Sequence, residues 1–425
     1  MTMKSDFSSS MFNESNLNYD LLKKIYEEFV NSNMGKLVIK ISPKLKNELR
    51  DLIEILNSRP PRVMTIGRRG SGKSSLINAF LGSRVLKVGS VIAQTPTNEW
   101  LTIESGNKTI EILDSRGAGE GEKVRNAIHG NALDSISEAI QEKYPDTILF
   151  LVKAKEVDAN IEHDIEFLNK VYKVIKSNYS DSKVSVIGVV TQVDELDPIR
   201  VYKPFNDNTK QKNIYTAVKH LYDMMYKYFD DKDLKLNVVP VSAYMHFGED
   251  GRLIDDLRWN IDTLAEEISK NIPSQAQMAF AKMTEVKKVQ SEIAEKIVNI
   301  FTAITGTIGA EPIPAADLPI LTSLQITMIS MVAAISGRSL ALKSMKEMLA
   351  AIGINIGGAF LLREIARALS KLWVGYGNLI SGAIAGGTTK IYGKAAIDYF
   401  INNKDENTIR KAVDNELMNI RETST

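Results

Sequence analysis

The chain has 425 residues, with 53 Lys and Arg against 52 Asp and Glu and a formal net charge of +1. Its 44% hydrophobic and 25% charged content excludes a wholly disordered chain, and the charge balance excludes a nucleic-acid binder that works by bulk electrostatics. The absence of cysteine excludes disulfides, thiolate metal sites and a cysteine nucleophile, and four histidines argue against a polyhistidine metal centre. At roughly 150 residues per domain, the length predicts two or three domains. The opening stretch MTMKSDFSSSMFNESN is polar and lacks the apolar run of a secretory signal, so the expected location is cytoplasmic.

In chain order, residues 1–18 read as a disordered tail, rich in Ser, Asn and Asp. Residues 19–58 read as an N-terminal helical segment. Leu45, Leu49, Leu52, Ile53 and Leu56 fall at helical spacing, and Pro60 and Pro61 stop the pattern. Over 59–272, short apolar runs alternate with helical stretches: Val63–Ile66, Thr109–Leu113, Ile148–Val152, Val184–Val190 and Leu236–Val241. That alternation predicts an α/β domain with a mostly parallel, doubly wound sheet. Trp100–Ile103, Ser105-Gly106-Asn107 and Thr109–Leu113 read as an antiparallel hairpin at the sheet edge. From 273 to 425 the strands stop, and hydrophobic helical stretches take over.

Gly67-Arg68-Arg69-Gly70-Ser71-Gly72-Lys73-Ser74 follows the first apolar strand and opens a helix at Ser75. A strand, a G-x-x-x-x-G-K-S loop and a helix in that order form a phosphate cradle. The glycines let backbone N–H groups turn inward, and the helix N-terminus adds a positive dipole end. Gly67, Gly70, Ser71, Gly72, Lys73, Ser74 and Ser75 are the expected phosphate-site residues. Lys73 is expected at the β- and γ-phosphates and the Ser74 hydroxyl on Mg²⁺.

Asp114-Ser115-Arg116-Gly117 ends the strand Thr109–Leu113 and suits a D-x-x-G switch, with Asp114 holding Mg²⁺ through water and the Gly117 N–H at the γ-phosphate. Thr191-Gln192-Val193-Asp194 ends the strand Val184–Val190. A carboxylate at Asp194 accepts two hydrogen bonds from the N1–H and N2–H₂ of guanine. Adenine lacks that donor pair, so GTP and GDP are the expected nucleotides. Ser242-Ala243 follows the strand Leu236–Val241, where a backbone N–H can meet guanine O6.

With these residues in order, the region 60–275 resembles an Era-like GTPase of the large P-loop class. It is similar to bacterial ribosome-binding or heat-shock-related GTPases and to immunity-related and dynamin-like GTPases. The resemblance implies a P-loop G domain at 59–272, flanked by an all-α helical domain built from N- and C-terminal segments. It implies GTP hydrolysis with Mg²⁺. Three positions depart from the usual pattern. Thr191 and Gln192 stand where Asn and Lys are usual. Ala118 stands where small GTPases place a water-orienting Gln, so unassisted turnover is expected to be slow, on the order of 10⁻⁴ to 10⁻² per second. Arg69 is a candidate arginine finger, in cis or across a dimer, against the simpler reading of a solvated or phosphate-steering side chain, which the sequence favours. Thr97 is the expected threonine over Mg²⁺, with Thr95 as the alternative. Ala118–Glu122 reads as a second switch.

Four stretches lack a charged side chain: Ile297–Ala310, Leu318–Gly337, Met348–Leu362 and Leu372–Thr389. Gly353 with Gly357, and Gly382 with Gly386, repeat small residues at a spacing that allows close helix contact in a membrane or in a soluble bundle. Periodicity does not decide between the two; a soluble bundle is the favoured reading, with a membrane-inserting or membrane-docking domain as the minority one. Glu311–Pro319, Leu324–Met328, Leu379–Gly382 and Gly386–Thr389 together resemble an uncharacterised hydrophobic domain often fused to Era-like GTPases. The expected partners are a guanine nucleotide, a second copy through the G domain or another protein, and a membrane surface for peripheral association. A nucleic acid is not expected. A ribosome-associated switch and a membrane-acting effector remain the alternative functions.

Overall fold

The computed structural model describes residues 57–86, 99–116, 132–159, 161–229, 231, 234–310, 317–338, 342–352 and 382–424, with isolated positions between 31 and 55. The expected tail at 1–18 lies outside the described residues, as does most of the segment 19–58. The chain divides into two compact units, one spanning Arg59–Val286 and the other Met1–Ser58 with Lys287–Thr425.

The first unit is built on a six-stranded sheet, in the order β2-β3-β1-β4-β5-β6. Its strands are β1 (Arg62–Gly67), β2 (Trp100–Ser105), β3 (Lys108–Arg116), β4 (Thr147–Lys153), β5 (Ser185–Thr191) and β6 (Asn237–Pro240). β1 pairs in parallel with β3 and with β4, β4 with β5, and β5 with β6. Only β2 is antiparallel; it pairs with β3 in the register Trp100↔Leu113 to Ser105↔Lys108. The turn that joins them carries Gly106 at φ +61°, a conformation that favours glycine. The sheet edge thus holds the hairpin that the spacing predicts.

Parallel strands covered on both faces should be apolar at every position. Met64 and Ile66, Ile148 and Phe150, and Val186 and Val190 join one buried cluster. Residues of the opposite parity, Val63, Leu149, Leu151, Ile187 and Val189, are equally buried. Helices α1 (Lys73–Leu81), α2 (Ala132–Glu142), α3 (Glu162–Asn178) and α4 (Asn208–Tyr228) follow in chain order, then the small hairpin β7 (Met245–Phe247) and β8 (Leu253–Asp256). Two helices close the unit, α5 (Ile261–Ser269) and α6 (Ser274–Thr284). Helices α2, α3 and α4 pack in series, while α1, α5 and α6 pack on one another. Phe80 of α1 meets Phe280 of α6 edge to face, with ring centroids 6.4 Å apart. The Arg59 N–H donates to the Gln275 carbonyl at 3.0 Å, and α6 packs on β3. The unit therefore runs past residue 272 to Val286.

The second unit is helical among its described residues. It contains α7 (Lys287–Ala310), α8 (Asp317–Ile335), α9 (Leu342–Ala351), α10 (Gly382–Phe400) and α11 (Glu406–Ser424). From Leu324 to Ile335 every side chain of α8 is buried. A helix apolar all round is here a central bundle helix. Among the described residues, no helix is long and apolar enough to cross a membrane.

Helices α7 and α10 touch through backbone. A Cβ added at Gly382 would lie 2.5 Å from the Gly306 carbonyl oxygen, and one at Gly386 would lie 3.1 Å from the Thr302 carbonyl oxygen. The Gly382 and Gly386 pair thus serves helix contact within the chain, while Gly353 and Gly357 lie outside the described residues. Beside this contact is a buried polar layer. Thr305 Oγ1 lies 2.9 Å from Thr389 Oγ1, and Gln325 Nε2 donates to Thr389 Oγ1 at 3.1 Å. Gln325 Oε1 and Thr322 Oγ1 are buried with no hydrogen-bond partner among the described residues.

Gly386→Leu should force α7 and α10 apart, at an overpacking cost of about 1–3 kcal/mol. Urea unfolding followed by helical circular dichroism should show an earlier helical transition than in the parent chain. An unchanged midpoint would mean that the close approach does not hold the bundle.

Candidate functional site

The site forms where β1 ends between β3 and β4. From β1 the chain passes to β2 and β3 on one side and then crosses to β4 on the other, so the loop after β1 stands in a crevice at the carboxyl ends of the strands. A side chain cannot be accommodated at Gly67, because a Cβ there would lie 2.5 Å from the Leu151 carbonyl oxygen. Gly70 and Gly72 take φ values of +75° and +89°, in the region that glycine enters without strain. The loop closes on itself through Ser71 N–H to Arg68 O at 3.1 Å, and α1 begins with Leu76 N–H to Gly72 O at 2.8 Å.

The amides of Gly70, Gly72, Lys73 and Ser74 find no acceptor among the described residues. They gather at the start of α1, where the helix dipole adds positive potential. Lys73 Nζ folds across the loop to the carbonyls of Gly67, at 2.7 Å, and Arg68, at 3.3 Å. Ser74 and Ser75 are half-buried in the first turn of the helix. Ser71 is buried, and its hydroxyl has no protein partner among the described residues.

The two loop arginines have different settings. Arg68 Nε donates to Asp164 Oδ2 at 2.6 Å. Asp164 is buried at the start of α3, and burial raises its pKa against the opposing pull of Arg68. Arg69 stands exposed at the loop tip. That placement suits either a solvated side chain or one that acts on another chain.

Strand β5 delivers the second group. Thr191 Oγ1 donates to the Ser71 carbonyl at 2.8 Å and so ties β5 to the loop. Gln192 takes a left-handed conformation, φ 56°, and its Nε2 donates to the Gly70 carbonyl at 2.7 Å. Left-handed backbone costs a non-glycine residue roughly 1–3 kcal/mol. This hydrogen bond opposes that cost and explains how glutamine serves here: its amide braces the loop. Gln192 starts a short turn, Val193–Glu195, which presents Asp194 half-buried beside the loop.

Lys210 of α4, which the sequence reading missed, supports that turn from below. It is fully buried, and its Nζ donates to the carbonyls of Asp194 at 2.7 Å and Leu196 at 2.5 Å. Burial depresses its pKa, while Asp194 and Asp197 pull it back up. A buried lysine that satisfies two carbonyls leaves no local signature, because its partners come from another element.

The third group follows β6. Ser242 and Trp259 exchange backbone hydrogen bonds at 3.2 and 2.9 Å. The Ser242 N–H is therefore engaged, and the N–H open to a base oxygen is that of Ala243. Ala243 and Ser75 line a cavity of about 210 Å³, with Asn78, Arg84 and Tyr244–Phe247 around it. Asp114 lies opposite Thr65 in the β1–β3 register, at the carboxyl end of its strand. Thr97, Thr95, Gly117 and the stretch Ala118–Glu122 lie outside the described residues.

The geometry thus brings together Gly67, Gly70, Ser71, Gly72, Lys73, Ser74, Thr191 and Gln192 around one loop, with Asp194 beside it. Lys210→Met should leave the carbonyls of Asp194 and Leu196 without donors. The cost should be about 1–3 kcal/mol of stability, with nucleotide affinity lowered roughly tenfold or more as the Asp194 turn shifts. Melting and fluorescent-nucleotide titration would measure the two effects. Unchanged affinity would show that the turn holds without the lysine.

Comparison with known proteins follows this division. Residues 62–191 match the family described as "50S ribosome-binding GTPase", and residues 275–422 match a domain of unknown function, DUF697. The uncharacterized protein YkfA of Escherichia coli is 24% identical over 307 residues, 68% of this chain and 91% of that protein. GTPase Era of Campylobacter hominis is 24% identical over 254 residues, 56% of this chain and 77% of its own. A crystal structure of Aquifex aeolicus Era superposes with a TM-score of 0.33 at 20% identity, covering 57% of this chain and 67% of that one.

Proposed function

We infer that this chain, whose residues 62–191 are an Era-like GTPase domain and whose residues 275–422 are a DUF697 domain, is a slow, Mg²⁺-dependent GTP hydrolase. In this reading, nucleotide state controls the exposure or assembly of the helical unit. GTP binding is the property of the family. The hydrolysis rate, the metal and the coupling are our reading of this chain. The observation that carries it is the joint placement of a phosphate loop and Asp194, tied together by Thr191 and Gln192.

Lys73 and the loop amides would neutralise charge on the phosphates as the bond to the γ-phosphate breaks. The Ser74 hydroxyl and Asp114 are hard oxygen donors that suit Mg²⁺, with phosphate oxygens and water completing its shell. The cation would supply further charge neutralisation. Thr97 and the Gly117 N–H are the proposed switch contacts. Ala118 has no group to orient water, which supports a low unassisted rate. Arg69, exposed at the loop tip, is the residue that a second copy could use or complete. Coupling has a covalent route. Helix α6 packs on β3, which carries Asp114, and on α1, and the chain then passes through Glu285 and Val286 into α7.

Asp194→Ala should weaken GTP binding roughly ten- to a hundredfold, because a hydrogen bond to a charged group is worth about 1.5–3 kcal/mol. ATP affinity should stay as it is. Isothermal titration with both nucleotides measures this, and equal losses for GTP and ATP would remove Asp194 from base recognition.

GTP turnover per molecule should also rise with protein concentration, with Lys73→Ala as the blank. Binding of an apolar fluorescent dye should differ between the GDP state and the state with a non-hydrolysable GTP analogue. A specific rate that stays flat would remove self-assembly from the proposal. Identical dye binding in the two states would remove control of the helical unit.

A further inference from the structure

We propose that Lys153 is a second nucleotide-binding lysine of the site, held in reserve by Glu156 and directed at the α- and β-phosphates. The proposal rests on the GTPase reading above and adds a residue to it. Lys153 is the last residue of β4 and lies opposite Thr191 in the β4–β5 register. Its backbone therefore stands beside the segment that carries the base-reading Asp194. Its side chain reaches the phosphate loop. A Cβ built on Gly70 would lie 3.4 Å from both Lys153 Cε and Nζ. On its far side the ammonium meets Glu156 Oε1 at 2.8 Å.

This location has a specific meaning for a nucleotide. The base must reach Asp194 while the terminal phosphates lie in the loop around Lys73. The sugar and the α-phosphate then cross the ground between Gly70 and Gln192, whose side chain is bonded to the Gly70 carbonyl. Lys153 flanks that crossing. The other cation behind the loop, Arg68, is fixed on the buried Asp164. Lys153 and Glu156 are instead 27% and 37% exposed, so their pair is loosely held in solvent. A lysine has a flexible four-carbon stem and a compact charge, and it can exchange a carboxylate for a phosphate oxygen by rotation.

A contact to the α- and β-phosphates is present with GDP and with GTP, before and after reaction. It therefore strengthens binding of both without acting on the chemical step. Lys153→Gln in the full-length chain should weaken GDP and GTP about five- to tenfold alike, the scale of one solvent-accessible ionic contact. Guanosine, which has no phosphate, should bind as it does to the parent chain. Lys153→Arg should restore affinity. Glu156→Gln should tighten both nucleotides about two- to threefold by releasing the ammonium.

If Lys153→Gln binds GDP and GTP like the parent chain, the proposal is wrong. An equal loss for guanosine also overturns it, because the lysine would then only support the shape of the loop. A parent chain that binds no guanine nucleotide overturns the GTPase reading itself, and this role with it.

Discussion

Everything at the nucleotide site depends on one backbone constraint: the chain must turn sharply from β1 into α1 with its amides facing inward. Only residues without a Cβ meet that demand at Gly67, Gly70 and Gly72. The turn is not self-supporting. Thr191 holds the Ser71 carbonyl and Gln192 holds the Gly70 carbonyl, so the segment that presents Asp194 is also the segment that fixes the loop. In the proposed function, phosphate binding and base reading would therefore be one mechanical assembly. Its rigidity comes from the buried parallel strands beneath it, and its outer cations are set by carboxylates on the β4–α3 side.

The helical unit solves a different problem. Long uncharged stretches need a place to bury. Helix α8 is buried at every position from Leu324 to Ile335, while α7 and α10 meet at backbone distance through Gly306, Gly382 and Gly386. Close approach brings Thr305 and Thr389 together, and Gln325 completes a polar layer in a mostly apolar core. Such a layer costs desolvation when its groups lack partners, and it fixes helix register because a shift would leave more of them unsatisfied.

Particular residues show how much was legible beforehand. The loop Gly67–Ser74 announced itself because its chemistry is consecutive in sequence. Asp114, Thr191, Asp194 and Ala243 stood out as candidates because each lies at or just after the carboxyl end of an apolar run, although β3 itself continues past Asp114 to Arg116. Gln192 was legible as a position but not as a brace. Its role needed the left-handed backbone and the reach to Gly70. Ser242 was read as a candidate for the base site, but its N–H is spent on Trp259. Lys210, Lys153 and Asp164 carried no signal, because each acts on an element distant in the chain.

The sequence by itself determined the architecture of the first unit and the place of the glycine loop at its centre. Strand alternation, glycine placement and strand-end motifs are local properties, and local properties survive without coordinates. Only the tertiary structure decided which cations are neutralised, which amides remain open, and where a helix without charges finds its neighbours. Those outcomes depend on pairs such as Arg68 with Asp164 and Gly382 with Gly306, which lie far apart in the chain. A linear pattern records that a glycine or an arginine is present, but the geometry of close packing decides what it touches.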